Sequence, residues 1–136
     1  MPANSAPAPT PETQLFWDKA LLGELWFPRC DATGRIFFPP RAFSPFGGGT
    51  VSWVEASGRA RLASYVIAHR PAPGFETQVP YIIAIAETEE GPRLLTNLPG
   101  APPEPAALHI GAPLEVAFER RGEVMVPQFR LVRSAT

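Results

Sequence analysis

Apolar and polar positions change period along this chain, and each change marks a different element. Trp17, Leu21 and Leu25 recur every four residues with Leu15 and Leu22 alongside, which is the spacing of one helical face. Thr10 stands where an N-cap is expected, and Pro11 falls in the first turn, where its missing N–H leaves no bond unmade. Gly23 weakens the last turn and Pro28 stops it, so the pattern predicts a helix over 12–27. Residues 28–50 are dense in proline and glycine and show no helical period, as expected of loops and short hairpins. From 51 onward the signal is that of strands. Runs at 51–55, 60–69, 79–87, 93–97, 114–119 and 124–131 are rich in β-branched and aromatic residues. Turn signals separate them at Ser57-Gly58, Glu89-Glu90-Gly91 and Arg121-Gly122-Glu123, with proline-rich loops at Pro71-Ala72-Pro73-Gly74 and at 99–105.

The run at 79–87 is almost continuously apolar, which predicts a strand covered on both faces or curled into a barrel. Leu114, Val116 and Phe118 alternate instead with Glu115, Ala117 and Glu119. Five or six short strands without an internal helix are most economically closed into a small barrel, because closure removes exposed edges. The predicted organisation is a disordered tail over 1–11, a helix over 12–27, an irregular segment over 28–50 and a barrel over 51–133. The fold class is mainly β, an OB-fold five-stranded barrel.

The irregular segment has the outline of a four-ligand zinc ribbon. Cys30-Asp31-Ala32-Thr33-Gly34 has the form of one knuckle and Ser44-Pro45-Phe46-Gly47 that of a second. Tetrahedral zinc needs four thiolate or imidazole ligands, two from each knuckle. Here Thr33, Ser44 and Gly47 stand where three of them belong, and one thiolate cannot hold a structural zinc. Zinc is therefore expected to be absent.

Composition narrows the function classes. Of 136 residues, 45% are hydrophobic and 18% charged, so the chain is long and apolar enough to bury a core. Twelve basic and 13 acidic side chains leave a formal net charge of -1, with no pull toward nucleic acid or an anionic membrane. A single cysteine excludes an internal disulfide and suits a cytoplasmic protein. The tail lacks a basic start and an apolar stretch, so it reads as neither a signal peptide nor a membrane span.

The ordered set of residues carries a resemblance. It runs through Phe16-Trp17, the Cys30 knuckle with Gly34, Phe38-Pro39-Pro40-Arg41, Trp53, Ser57-Gly58, His69 and Val79-Pro80-Tyr81. It continues through Gly91-Pro92-Arg93, Leu95-Thr96-Asn97 and Gly111. This resembles the DUF35 family of acyl-CoA-associated proteins, in which a rubredoxin-like zinc ribbon is joined to an OB-fold barrel. The resemblance covers roughly 14–133. It implies a non-catalytic accessory subunit that partners a thiolase-superfamily or related acyl-CoA enzyme, with the ribbon and helix against the partner and in reach of coenzyme A. The chain departs from the family pattern at three of four metal ligands, so the metal is not carried over.

Candidate residues follow from both readings. Trp17, Trp26, Phe37, Phe38 and Phe43, with Phe27 and Phe46, concentrate aromatic rings in a segment of weak regular structure, as interface anchors do. Without a metal they must pack on the barrel, on a partner, or on both. Arg29, Arg35 and Arg41 are candidates to meet phosphates of a bound acyl-CoA by charge-assisted hydrogen bonds. His69 is either a group acting on a substrate carbonyl or a strand-end structural residue. Cys30 is either a nucleophile activated by neighbouring arginines or an inert remnant of the ribbon, and it lacks an adjacent base. Asn97 reads as a turn cap, and His109 as incidental. Two rival readings remain: an OB barrel binding single-stranded nucleic acid, and a free-standing thioesterase built on Cys30 or His69.

Overall fold

The computed structural model describes residues 7–70 and 79–132. The loop expected at Pro71-Ala72-Pro73-Gly74, most of the tail and the last residue assigned to the barrel lie outside them. The chain runs α1 (Gln14–Leu21), β1 (Trp26–Cys30), β2 (Val51–Glu55), β3 (Arg59–Ala68), β4 (Tyr81–Thr88) and β5 (Arg93–Thr96). A 3-10 turn (Pro105–Ala107), β6 (Pro113–Arg121) and β7 (Val124–Leu131) follow.

The helix is shorter than its periodicity predicts. Gly23 takes φ of 76°, a left-handed conformation that ends the helix two residues after Leu21. Trp26 and Phe27 then enter β1 rather than a last helical turn. Lys19 Nζ lies 4.7 Å from the centre of the Trp26 ring, and the Trp26 indole donates to Glu24 Oε1 at 2.8 Å. These contacts fold the strand back on the helix end.

β2 also departs from expectation. It leaves the barrel and pairs antiparallel with β1, Trp26 opposite Glu55 and Cys30 opposite Val51. The reason is local: β1 presents a free edge, and the backbone N–H of Asp31 reaches Thr50 O at 3.1 Å to start the register. The ribbon thus comprises two sheet strands and the two turns beyond them.

The other five strands form an antiparallel sheet in the order β5-β4-β3-β6-β7, which curls until β7 approaches β5. Inward positions alternate cleanly on β4, where Ile82, Ala84 and Ala86 are buried. The sharp entry into β3 is made by Gly58, with φ of 83° and its carbonyl accepting the Val116 N–H at 2.8 Å. One apolar core runs through the whole molecule: Phe16 of α1, Phe27 of β1, Leu62, Ile82, Leu94, Leu114 and Phe129 belong to a single cluster. Helix, ribbon and barrel therefore share their burial.

Candidate functional site

The ribbon keeps its knuckles and has changed what fills them. Gly34 N–H donates to Cys30 O at 2.7 Å and Gly48 N–H to Ser44 O at 2.9 Å, closing two equivalent turns. The Cys30 side chain is fully buried between them. Its sulfur accepts hydrogen bonds from the Ser44 hydroxyl first, then from the Thr33 hydroxyl and the backbone N–H groups of Thr33 and Ala32. Together these outweigh burial, which acts the other way, and bring the thiol pKa from 9.0 down to about 7. Ser44 is held in turn, its hydroxyl oxygen accepting the Phe46 N–H at 3.0 Å.

Two of the positions that stand in for thiolates thus converge on the one that remains. The donor set does not fit zinc: among the described residues no three of His, Cys, Asp and Glu come together. Gly47, at the fourth position, has φ of 103°, which strains any side chain placed there. Beside this cage, Asp31 accepts from the hydroxyls of Ser52 and Thr50, the latter at 2.7 Å. These bonds, led by Ser52 and aided by Arg29, hold its carboxyl below the usual carboxylate range.

The candidate aromatic residues divide. Phe37 is buried, and Phe38 packs against Phe16 and Phe27 at ring-centre distances of 5.3 and 5.9 Å. Trp17 is half-buried, edge-on to Phe16 at 4.9 Å, and Trp26 is half-buried under Lys19. Phe43 alone of the set stands out in solvent, 66% exposed. Of the arginines, Arg35 covers the face of Phe46 at 4.0 Å, while Arg29 Nε donates to Gly34 O at 3.4 Å. Arg41 is exposed two residues from Phe43. His69 is exposed just past the end of β3. The groups that reach Cys30 are hydroxyls and backbone N–H, with no imidazole among them. Among the described residues, no nucleophile–base pair is assembled on it.

Two features went unpredicted. The outer face of β3, β4 and β5 carries an aliphatic patch: Val66 lies opposite Ile83 and Ile85 opposite Leu95, with Val66 and Leu95 well exposed. The apolar run at 79–87 carried that signal; of its two readings, a strand covered on both faces or one curled into a barrel, the barrel is the one found. The second feature is a cleft of about 610 Å³ beside the seam where β7 meets β5, walled by Leu98, Pro99, Ala101 and Phe118 and bearing Asn97 and Gln128. Nothing in the pattern around Gln128, which with Arg130 is one of two polar residues in β7, pointed to it.

Comparison with known proteins places this architecture. The family described as "ChsH2, C-terminal OB-fold domain" matches residues 53–119, and "ChsH2, rubredoxin-like zinc ribbon domain" matches residues 17–43. A probable enoyl-CoA hydratase alpha subunit of Thermomonospora curvata is 35% identical over 128 residues, 91% of this chain and 39% of that protein. The chain thus spans about two-fifths of the length of that curated relative. A DUF35 domain-containing scaffold protein of Methanothermobacter thermautotrophicus is 31% identical over 94 residues, 68% of this chain and 69% of that one. The solved structure "Ltp2-ChsH2(DUF35) aldolase" superposes with a TM-score of 0.81 at 32% identity, covering 93% of this chain and 98% of that one. With the ribbon outline, the barrel order and these matches in agreement, the chain belongs to the DUF35 family.

Proposed function

We propose that this chain is a non-catalytic accessory component that docks on and supports a thiolase-superfamily or related acyl-CoA enzyme. The observation that carries the reading is its match along 98% of the DUF35 chain of an aldolase complex. Among the described residues the neighbours of Cys30 are hydroxyls and backbone N–H groups rather than a base, which favours a supporting role over an independent thioesterase. The open face of β3–β5 carries Val66 and Leu95 together with the ion pairs Arg59–Glu89 and Arg93–Glu87, which suits a single nucleic-acid strand less well than a basic, aromatic groove would. The component works without zinc, its ribbon held by hydroxyl–sulfur bonds and ring packing. No described helix is long and apolar enough to cross a membrane, and the single unpaired thiol suits a cytoplasmic setting.

The partner-facing candidates are Arg41 and Phe43, exposed on the loop before the second knuckle, with the exposed Arg29 and Arg35 on the first knuckle as further candidates. Phe37 and Phe38 act behind them, tying that segment to Phe46 and to the core through Phe16, against which Trp17 packs, while Trp26 fastens β1 to the end of α1. An exposed ring beside an arginine is the usual composition of an interface anchor. Arg41→Ala combined with Phe43→Ser should weaken co-elution with the acyl-CoA enzyme of the native host while leaving the melting temperature unchanged. Undiminished co-elution of that double variant would remove this face from the interface. Failure of the parent chain to co-elute with any acyl-CoA enzyme would remove the function.

A further inference from the structure

Beyond Leu62, β3 has a neighbouring strand on one side only. Its pairing with β6 covers Arg59 to Arg61. The segment before β6 extends that contact by one residue, Leu62 N–H donating to Ala112 O at 2.9 Å and Gly111 N–H to Leu62 O at 2.7 Å. A bulge between Leu62 and Ser64 follows, after which β3 pairs with β4 alone as far as Ala68. Alternation decides which backbone groups are left open. Ile82 O faces β5, where it accepts from Asn97 Nδ2 at 2.7 Å, so Ile83 turns its groups toward β3. Val66 lies opposite Ile83 and spends its own N–H and C=O there. Tyr65 and Ile67, on either side of it, therefore point theirs away from β4, and no described residue bonds to them.

This edge lacks the usual defences. Leu62-Ala63-Ser64-Tyr65-Val66-Ile67-Ala68 contains neither a charge nor a proline. The far edge of β7 is protected by contrast, since Pro127 has no N–H to offer and that of Phe129 is taken by Thr96 Oγ1 at 3.0 Å. Val66 stands at the middle of the open stretch, 58% exposed, and Ile110, 64% exposed, stands next to Gly111 at its closed end. We propose that this edge pairs antiparallel with a second copy of the chain, about a two-fold axis through Val66. The open groups are symmetric about that residue, as an isologous contact requires. Tyr65 exchanges both bonds with Ile67 of the second copy, which also sets an aromatic ring against a β-branched side chain. Val66 meets Val66 as the closer, non-bonded pair, with Cα atoms about 4.5 Å apart. No like charges face each other across the axis, because the stretch carries none. So short an edge covers less than the roughly 1,000 Å² of a stable interface, so the dimer is weak and set by concentration. It does not use the ribbon loop that bears Arg41 and Phe43, and it stands apart from the acyl-CoA reading.

The test is sedimentation equilibrium of the full chain over a dilution series, with two sets of variants. The parent chain should pass from monomer toward dimer as concentration rises. Val66→Lys should weaken association about tenfold or more, by setting like charges on the axis, while the melting temperature stays put because the side chain is exposed. Val66→Glu should do the same alone, and an equal mixture of the two variants should associate again. Val66→Cys should form an interchain disulfide with glutathione disulfide, since the Cα separation on the axis suits one. Leu95→Cys, exposed on β5 away from the axis, should not. A parent chain that stays monomeric up to about 1 mM would overturn the proposal. So would undiminished association of Val66→Lys, no recovery in the mixture, or cross-linking of Leu95→Cys as readily as Val66→Cys. An edge that serves a strand of the acyl-CoA enzyme instead would show as co-elution lost in Val66→Lys with self-association unchanged, which also overturns it.

Discussion

At the scale of single residues, the most consequential group is the Cys30 sulfur. The spacing of the two knuckles identified the residues around it, since Thr33 and Ser44 were placed at ligand positions by sequence alone. What the spacing could not show is that their hydroxyls would turn toward the sulfur as donors. The Cys30 pKa is depressed in the fold, from 9.0 to about 7. A depressed acid stabilises the folded state fully above its ordinary pKa and loses that contribution as pH falls through the folded value. Folding stability should therefore rise between about pH 7 and pH 9. Ser44→Ala with Thr33→Val should move the thiol titration upward, read from thiolate ultraviolet absorbance, and flatten that rise. An unmoved titration would show that the hydroxyls do not hold the sulfur. Gly58 is a second residue whose identity is dictated. With φ of 83°, a Cβ built there would sit 2.8 Å from Val116 Cγ1. Gly58→Ala should destabilise by about 1–3 kcal/mol, from backbone strain and the clash together. Val116→Ala in the same chain should recover only the clash, and full recovery would exclude the strain.

At the scale of elements, alternation and turn residues located the barrel strands, because a half-buried strand writes its burial into a period of two. They failed where tertiary pairing decided. Leu25 continued the helical spacing but follows Gly23, and β2 read as the first barrel strand although it pairs with β1. The apolar run of β4 fitted either a doubly covered strand or one curled into a barrel, and the second holds. Only its Ile82 side is covered by the core, while Ile83 and Ile85 share the open face with Val66 and Leu95. The seam was the least legible element, since β5 and β7 are joined through side chains rather than a ladder. Thr96 binds Gln128 Oε1 and accepts from Phe129 N–H, all buried. Thr96→Val preserves shape and removes these bonds. It should lower unfolding free energy by about 1–3 kcal/mol in urea titration, the range for stranding buried polar groups. A change within experimental error would mean that the barrel closes without this clasp.

At the scale of the whole molecule, the question is what replaces a metal that the family's ribbon uses as its own small core. Phe16, Phe27 and the barrel residues Leu62 and Phe129 lie in one cluster, with Phe38 packed against it. The ribbon is thus buried against the barrel by the same rings that the sequence offered to a partner. That dual use is why the aromatic set could not be assigned beforehand: composition reports how many rings there are, not which way they face. A ribbon fastened in this way has no separate stability to lose. Heating the full chain should give one cooperative transition, with tryptophan fluorescence from Trp17, Trp26 and Trp53 and backbone ellipticity changing together. Chelator should leave that transition where it is, and metal analysis should find far less than one zinc per chain. A ribbon that needed metal would respond differently, since removing zinc unfolds such a unit outright. Stoichiometric zinc, or an early chelator-sensitive phase confined to fluorescence, would show that the hydroxyl cage and the shared core do not suffice to hold the ribbon.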